Sequence, residues 1–78
     1  MPHIEIRMIT GRSDETKKLL AAKLRAFLAE ELVLDPGYIS VSVRDIERID
    51  WDNEIQMIDR SAMVIPPEIK LETKQSEE

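Results

Sequence analysis

The sequence predicts an α+β fold built on one β-α-β unit with parallel strands. Two segments, near residues 3–9 and 38–45, alternate apolar and polar side chains, which is typical of half-buried strands. Between them, near residues 14–33, apolar residues recur at spacings of three and four, which is typical of an amphipathic helix. A strand, a helix and a strand in this order predict a right-handed crossover, so the two strands should be parallel.

Local signals support the ends of these elements. Ser13 is a suitable N-cap at the start of the helix, directly after the turn signal of Thr10 and Gly11. Pro36 cannot continue a helix, and Pro36-Gly37 suits the centre of a type II turn. The predicted core consists of Leu20, Leu24, Phe27, Leu28, Ile39, Val41 and Val43.

The segment after the second strand predicts a short second helix or an extension. Its apolar residues from Trp51 to Ile65 keep helical spacing, Asp50 is a possible N-cap, and Pro66-Pro67 ends the run. Residues 70–78 are charged and nearly free of apolar side chains, so we expect a disordered tail. The sequence therefore predicts a single domain over residues 1–69.

A homo-oligomer, most simply a homodimer, is expected from the size and layout of this unit. One helix covers one face of a two-stranded sheet and leaves the other face and both edges open, and such sheets are marginal alone. The chain has 78 residues and no cysteine, so disulfides cannot stabilise it. Edge pairing between two subunits would complete a four-stranded sheet.

Composition excludes several classes of protein. A chain without cysteine and with one histidine predicts no metal site and no metal cofactor. The net charge of −5 argues against a nucleic-acid partner. Apolar runs are too short for a membrane span, and no secretion signal opens the sequence, so we expect a cytoplasmic protein with no membrane partner.

Pro2 is the most informative candidate for catalysis. Removal of the initiator Met is favoured before proline, and it would leave Pro2 with a free secondary amine. The ordinary pKa of an α-amino group is about 7.7–8.0. Burial or a neighbouring cation lowers this pKa. The amine would then be neutral at physiological pH and could act as a general base. The alternative is that Pro2 is simply a common second residue.

Two sequence segments resemble the small tautomerases typified by 4-oxalocrotonate tautomerase. The first is Pro2-His3-Ile4-Glu5-Ile6, and the second is Gly11-Arg12-Ser13-Asp14-Glu15 before the long helix. The resemblance extends to about Trp51. The longer carboxyl-terminal part is similar to a dimeric bacterial branch of that family, typified by a phenylenolpyruvate tautomerase.

The resemblance implies a role for three residues. Pro2 would be the catalytic base, Arg12 would bind a substrate carboxylate, and Trp51 would shape the pocket. Ser40 stands where the family carries a second arginine, which removes a two-arginine clamp for a dicarboxylate. Arg44 and Arg48 are the candidates to replace it.

The implied function is a cofactor-independent tautomerase that acts on a small enolisable carboxylic acid. Two alternatives stay open from the sequence. Hydratase or dehalogenase chemistry could use the same proline, and a non-catalytic dimeric interaction module would need no free amine. His3 lies on the polar side of the first strand, where we expect a solvent-facing or interface residue.

Overall fold

The computed structural model describes residues 1–69 of the chain, and the predicted tail at 70–78 lies outside the described residues. The helices and strands are β1 (His3–Ile9), α1 (Asp14–Leu32), β2 (Ser40–Ile46) and α2 (Trp51–Gln56), with short 3₁₀ turns at Pro36–Tyr38, Arg48–Asp50 and Arg60–Ala62. Within residues 1–69, no helix combines the length and the apolar character needed to cross a membrane.

The predicted β-α-β unit is confirmed. β1 and β2 form a two-stranded parallel sheet in which Ile4 lies opposite Val41 and Ile6 lies opposite Val43. The second strand begins later than predicted, because Tyr38 belongs to a 3₁₀ turn and Ile39 follows it as the C-cap. Polar residues of both strands share the other face of the sheet.

The start of α1 follows the sequence signal. The Ser13 hydroxyl accepts a hydrogen bond from the backbone N–H of Thr16 at 3.1 Å, which satisfies one of the free donors of the first turn. Asp14 and Glu15 place negative charge in that turn, where the helix dipole favours it. These interactions fix where the chain turns from β1 into the helix.

The end of α1 is made by Val33 rather than by Pro36. Val33 adopts the left-handed conformation, with φ 55° and ψ 54°, and the N–H of Leu34 donates to Ala29 O at 2.9 Å. A bend of this kind satisfies carbonyl groups that the last helical turn leaves free. The left-handed position of such a bend is usually occupied by glycine, because a branched side chain is strained in that conformation.

The predicted type II turn at Pro36-Gly37 is wrong. That turn needs a positive φ at its glycine, and among the described glycines only Gly11 has one. Instead, the Asp35 carboxylate accepts a hydrogen bond from the Gly37 N–H at 2.8 Å and the chain forms a 3₁₀ turn. A local side-chain acceptor therefore decides the conformation.

The predicted core is only partly correct. The buried hydrophobic residues are Ala29, Ile39 and Ile46, whereas Leu20, Leu24 and Phe27 are 38%, 40% and 60% exposed. Leu28, Val41 and Val43 are half-buried.

This difference arises because α1 packs against β2 more extensively than against β1. One flank of α1, with Lys18, Ala22 and Arg25, borders β2. By helical periodicity the stripe of Leu20, Leu24 and Phe27 lies on the opposite flank, away from β2.

The segment after β2 covers part of the second sheet face, which was predicted to be open. Arg7 Nη1 on that face donates to the Glu54 backbone oxygen at 3.5 Å. α2 ends at Gln56, far short of the predicted run to Ile65, and Asp50 makes no side-chain capping bond. The chain turns because Asp59 accepts from the Ser61 N–H at 3.1 Å.

The strained cap at Val33 gives a stability prediction. Val33→Gly should raise the free energy of unfolding by about 0.5–1 kcal/mol, since relief of left-handed strain exceeds the entropic cost of glycine. Urea denaturation at fixed protein concentration measures the change. The matched control is Val64→Gly, because Val64 is as exposed (87% against 88%) but has no positive φ. Equal loss of stability in both variants would contradict the strain at residue 33.

Candidate active site

Pro2 lies at the entrance of β1, beside the start of β2. Its side chain is half-buried, and its carbonyl oxygen accepts a hydrogen bond from the Ser40 N–H at 3.5 Å. Met1 before it is 92% exposed. The nitrogen of residue 2 is therefore at one end of the sheet, next to a residue that is easily reached from solvent.

Arg12 lies in the loop that leaves the other end of β1. Gly11 before it has φ 128°, a conformation that glycine tolerates and other residues rarely adopt. The Arg12 side chain is exposed, and Nη1 donates to Ile9 O at 3.4 Å. The guanidinium keeps further donors for a ligand, since it carries five N–H groups.

Within one chain, Pro2 and Arg12 do not meet. The seven residues of β1 separate them. At about 3.3 Å per residue, the strand holds Pro2 and the loop after Ile9 roughly 23 Å apart. A small substrate cannot contact both residues in a single subunit.

Trp51 begins α2 and lines a groove on the second sheet face. The groove has a volume of about 610 Å³. It is lined, besides Trp51, by Glu5, Arg7, Ile55, Ile58, Met63, Ile65, Pro66 and Pro67. Pro2 and Arg12 do not line it, so the three residues predicted for the site occupy three separate positions on one chain.

Arg7 is a groove residue that the sequence analysis missed. Its Nε lies 3.4 Å from Glu5 Oε2 and its Nη1 lies 3.7 Å from Glu54 Oε1. Two carboxylates thus surround one guanidinium, which ties α2 to β1. The only signal in the sequence was the period-two pattern that puts Glu5 and Arg7 on one face, because Glu54 is distant along the chain.

The candidates for a second substrate cation lie outside the groove. Arg44 is opposite Arg7 in the parallel register and is exposed, while Arg48 is in the 3₁₀ turn between β2 and α2. Neither residue lines the Trp51 groove. Among residues 1–69, no group of three His, Asp or Glu side chains could hold a metal ion.

His3 joins the two strands by side-chain hydrogen bonds. Its Nδ1 lies 2.6 Å from Ser40 Oγ and its Nε2 lies 3.0 Å from Ser42 Oγ. Both ring nitrogens therefore have a hydroxyl partner on β2. The strand pattern placed the ring on the polar face but gave no indication of this bridge.

The described residues form a small α+β unit with two parallel strands, in which Pro2 precedes the first strand and Arg12 follows it. Over 55 residues the chain is 38% identical to a protein of Xylella fastidiosa (strain 9a5c) named "Probable tautomerase". The match covers 70% of this chain and 67% of that protein. No protein-family model matches the chain. The chain belongs to the tautomerase family, a family of isomerases.

The ion pairs of Arg7 predict how α2 is held. Arg7→Gln should lower the free energy of unfolding by about 1 kcal/mol, because partly exposed ion pairs are worth little more. It should also shift the fluorescence of the single tryptophan, Trp51, to longer wavelength as the groove opens to water. The matched control is Arg44→Gln, opposite in register but exposed. An unchanged Trp51 spectrum in Arg7→Gln would show that Arg7 does not hold α2.

Proposed function

We propose that this protein interconverts the keto and enol forms of a small enolisable carboxylic acid, with the Pro2 nitrogen as the base. Membership of the tautomerase family, together with Pro2 at the entrance of β1, is the observation that carries the proposal. The amine removes a proton from the enol hydroxyl or from the carbon next to the carbonyl group. It then returns a proton to the other position, so the reaction needs no oxidant and no cofactor.

The proposed base requires removal of Met1. While Met1 is attached, the nitrogen of Pro2 is part of an amide and is not basic. The exposure of Met1 supports the proposal, since a processing enzyme can reach that residue. The freed amine is secondary and acts in its neutral form.

In a dimer, Pro2 of one subunit would lie close to Arg12 of the partner subunit. β1 pairs with β2 at one edge only, so its other edge is free within the described sheet. Two such edges can pair antiparallel around a two-fold axis. If the axis passes near Ile6, the centre of β1, Pro2 lies beside Thr10 of the partner subunit and next to the partner's Arg12.

The exposed stripe on α1 supports the same arrangement. Leu20, Leu24 and Phe27 lie by helical periodicity on the flank of α1 opposite to the one that borders β2, and they remain exposed in one chain. Pairing of the β1 edges would bring two α1 helices together on one side of a four-stranded sheet. Burial of this stripe would provide the hydrophobic free energy for association.

The substrate in this proposal is an anion with an apolar part. Arg12 of the partner subunit would bind the carboxylate, since a guanidinium offers two parallel donors to two carboxylate oxygens. Trp51 would supply an apolar wall for the rest of the substrate, and because its groove contains neither Pro2 nor Arg12 in one chain, this role requires that the second subunit also bring the groove to the site. A single arginine at this position favours a monocarboxylate over a dicarboxylate.

Blocking the amino terminus tests the proposed base. A protein in which Pro2 carries an uncleaved amino-terminal extension should be at least about 100-fold less active, because the Pro2 nitrogen is then part of an amide and is not basic. Ultraviolet absorbance with phenylenolpyruvate and 2-hydroxymuconate as probes measures the rate. In the unblocked protein, the rate should rise with pH as the amine loses its proton.

The control for this experiment carries the same extension after Glu78 instead, and circular dichroism checks that both proteins are folded. The control should keep the rate of the unmodified protein. A folded protein with a blocked terminus that turns over the probes at the unblocked rate would show that Pro2 is not the base.

A further inference from the structure

We propose that His3 is a positioning residue for the Pro2 amine, which it fixes by tying the first residue of β1 to β2. The inference rests on the proposed role of Pro2. It concerns the hydrogen-bonded cluster of His3, Ser40 and Ser42, which the family comparison does not assign.

The need for such a tie follows from the position of Pro2. Pro2 precedes the first residue of β1, and the first residues of a chain tend to fray unless they are held. The carbonyl group of Pro2 is held by one long hydrogen bond, 3.5 Å from the Ser40 nitrogen. A catalytic base must be held more tightly, because a displacement of about 1 Å can reduce the rate roughly 100-fold.

The His3 ring supplies two further ties at the adjacent residue. Nδ1 bonds to Ser40 and Nε2 bonds to Ser42, so the ring spans two positions of β2 on the same face. In a neutral imidazole one nitrogen donates and the other accepts, and a serine hydroxyl can do either. Both bonds therefore form without a charged ring, and together they fix the orientation of residue 3.

His3 acts through the backbone rather than by contact with substrate. Both ring nitrogens are hydrogen-bonded to serine hydroxyls of β2, so neither nitrogen can bind a substrate without losing one of these bonds. Glu5 follows on the same face, but it pairs with Arg7 and makes no hydrogen bond to the ring among the described contacts. Both nitrogens of the His3 ring are thus hydrogen-bonded to Ser40 and Ser42.

Kinetics of three variants test this role. His3→Leu should lower kcat by roughly 10- to 100-fold, since the amine loses its fixed position. KM should stay within about twofold, because Arg12 still binds the carboxylate. His3→Gln should recover much of kcat, because its side-chain amide has an NH₂ group that donates and an oxygen that accepts, one for each serine hydroxyl. Lys23→Leu, an equally apolar change on the exposed surface of α1, should leave both constants unchanged.

A second measurement does not depend on activity. The amide of residue 40 donates to the Pro2 carbonyl oxygen, so its hydrogen exchange, followed by NMR, reports whether residue 2 is held. Exchange should be faster in His3→Leu and in Ser42→Ala, and near the wild-type rate in His3→Gln and Lys23→Leu. Ser42→Ala removes one tie only and keeps the test usable if His3→Leu does not fold.

Two results would overturn the proposal. One is a folded His3→Leu protein with wild-type kcat or a Ser42→Ala protein with wild-type exchange at residue 40, and the other is a loss of kcat in His3→Leu with unchanged exchange at residue 40. Failure of the Pro2 proposal has a different signature. In that case the amino-terminally blocked protein stays active, while the exchange measurement still shows whether His3 holds the strand end.

Discussion

The parallel pairing of β1 with β2 constrains everything else in this structure. β1 begins at one end of the sheet, next to Pro2, and the loop with Arg12 leaves the other end. Because β2 is parallel to β1, α1 must return the chain to the first end. The strand between them is too long for one substrate to reach both ends. The fold therefore supplies both parts of the proposed site but separates them, and it leaves a free strand edge through which a second subunit can bring them together.

The position of α1 on the sheet leaves apolar side chains exposed in a single chain. The helix packs on β2, where Ala29 is buried, and it leaves Leu24 and Phe27 exposed. On the second face, α2 is held to β1 by Arg7 and covers part of the sheet. Within the described sheet both outer edges are unpaired, and the edge of β1 is the one at which the two halves of the proposed site would meet.

Local interactions were predictable from the sequence, and longer-range ones were not. The strands and the Ser13 cap depend on neighbouring residues, so their patterns are visible in the sequence. The core was mispredicted at Phe27, because periodicity gives the apolar flank of a helix but not the strand against which it packs. Arg7 and its partner Glu54 are distant along the chain, so no local pattern could identify them. Pro2 was predicted as the base from its second position and its amine chemistry, and the family resemblance added Arg12 as a substrate-binding residue. The separation of the two residues became visible only in the structure.

The central claim is that Pro2 and Arg12 of different subunits form one site, and mixed dimers test it most directly. One subunit carries a blocked Pro2, and the other carries Arg12→Ala with a free Pro2; each variant alone should be nearly inactive. In a two-fold dimer, the mixed pair regains one intact site, from the free Pro2 of one subunit and the native Arg12 of the other. Refolding an equal mixture should therefore restore about a quarter of the wild-type activity, since half of the dimers are mixed and each has one good site. If the mixture stays as inactive as the separate variants, although mixed dimers form, the two residues do not act across the subunit interface.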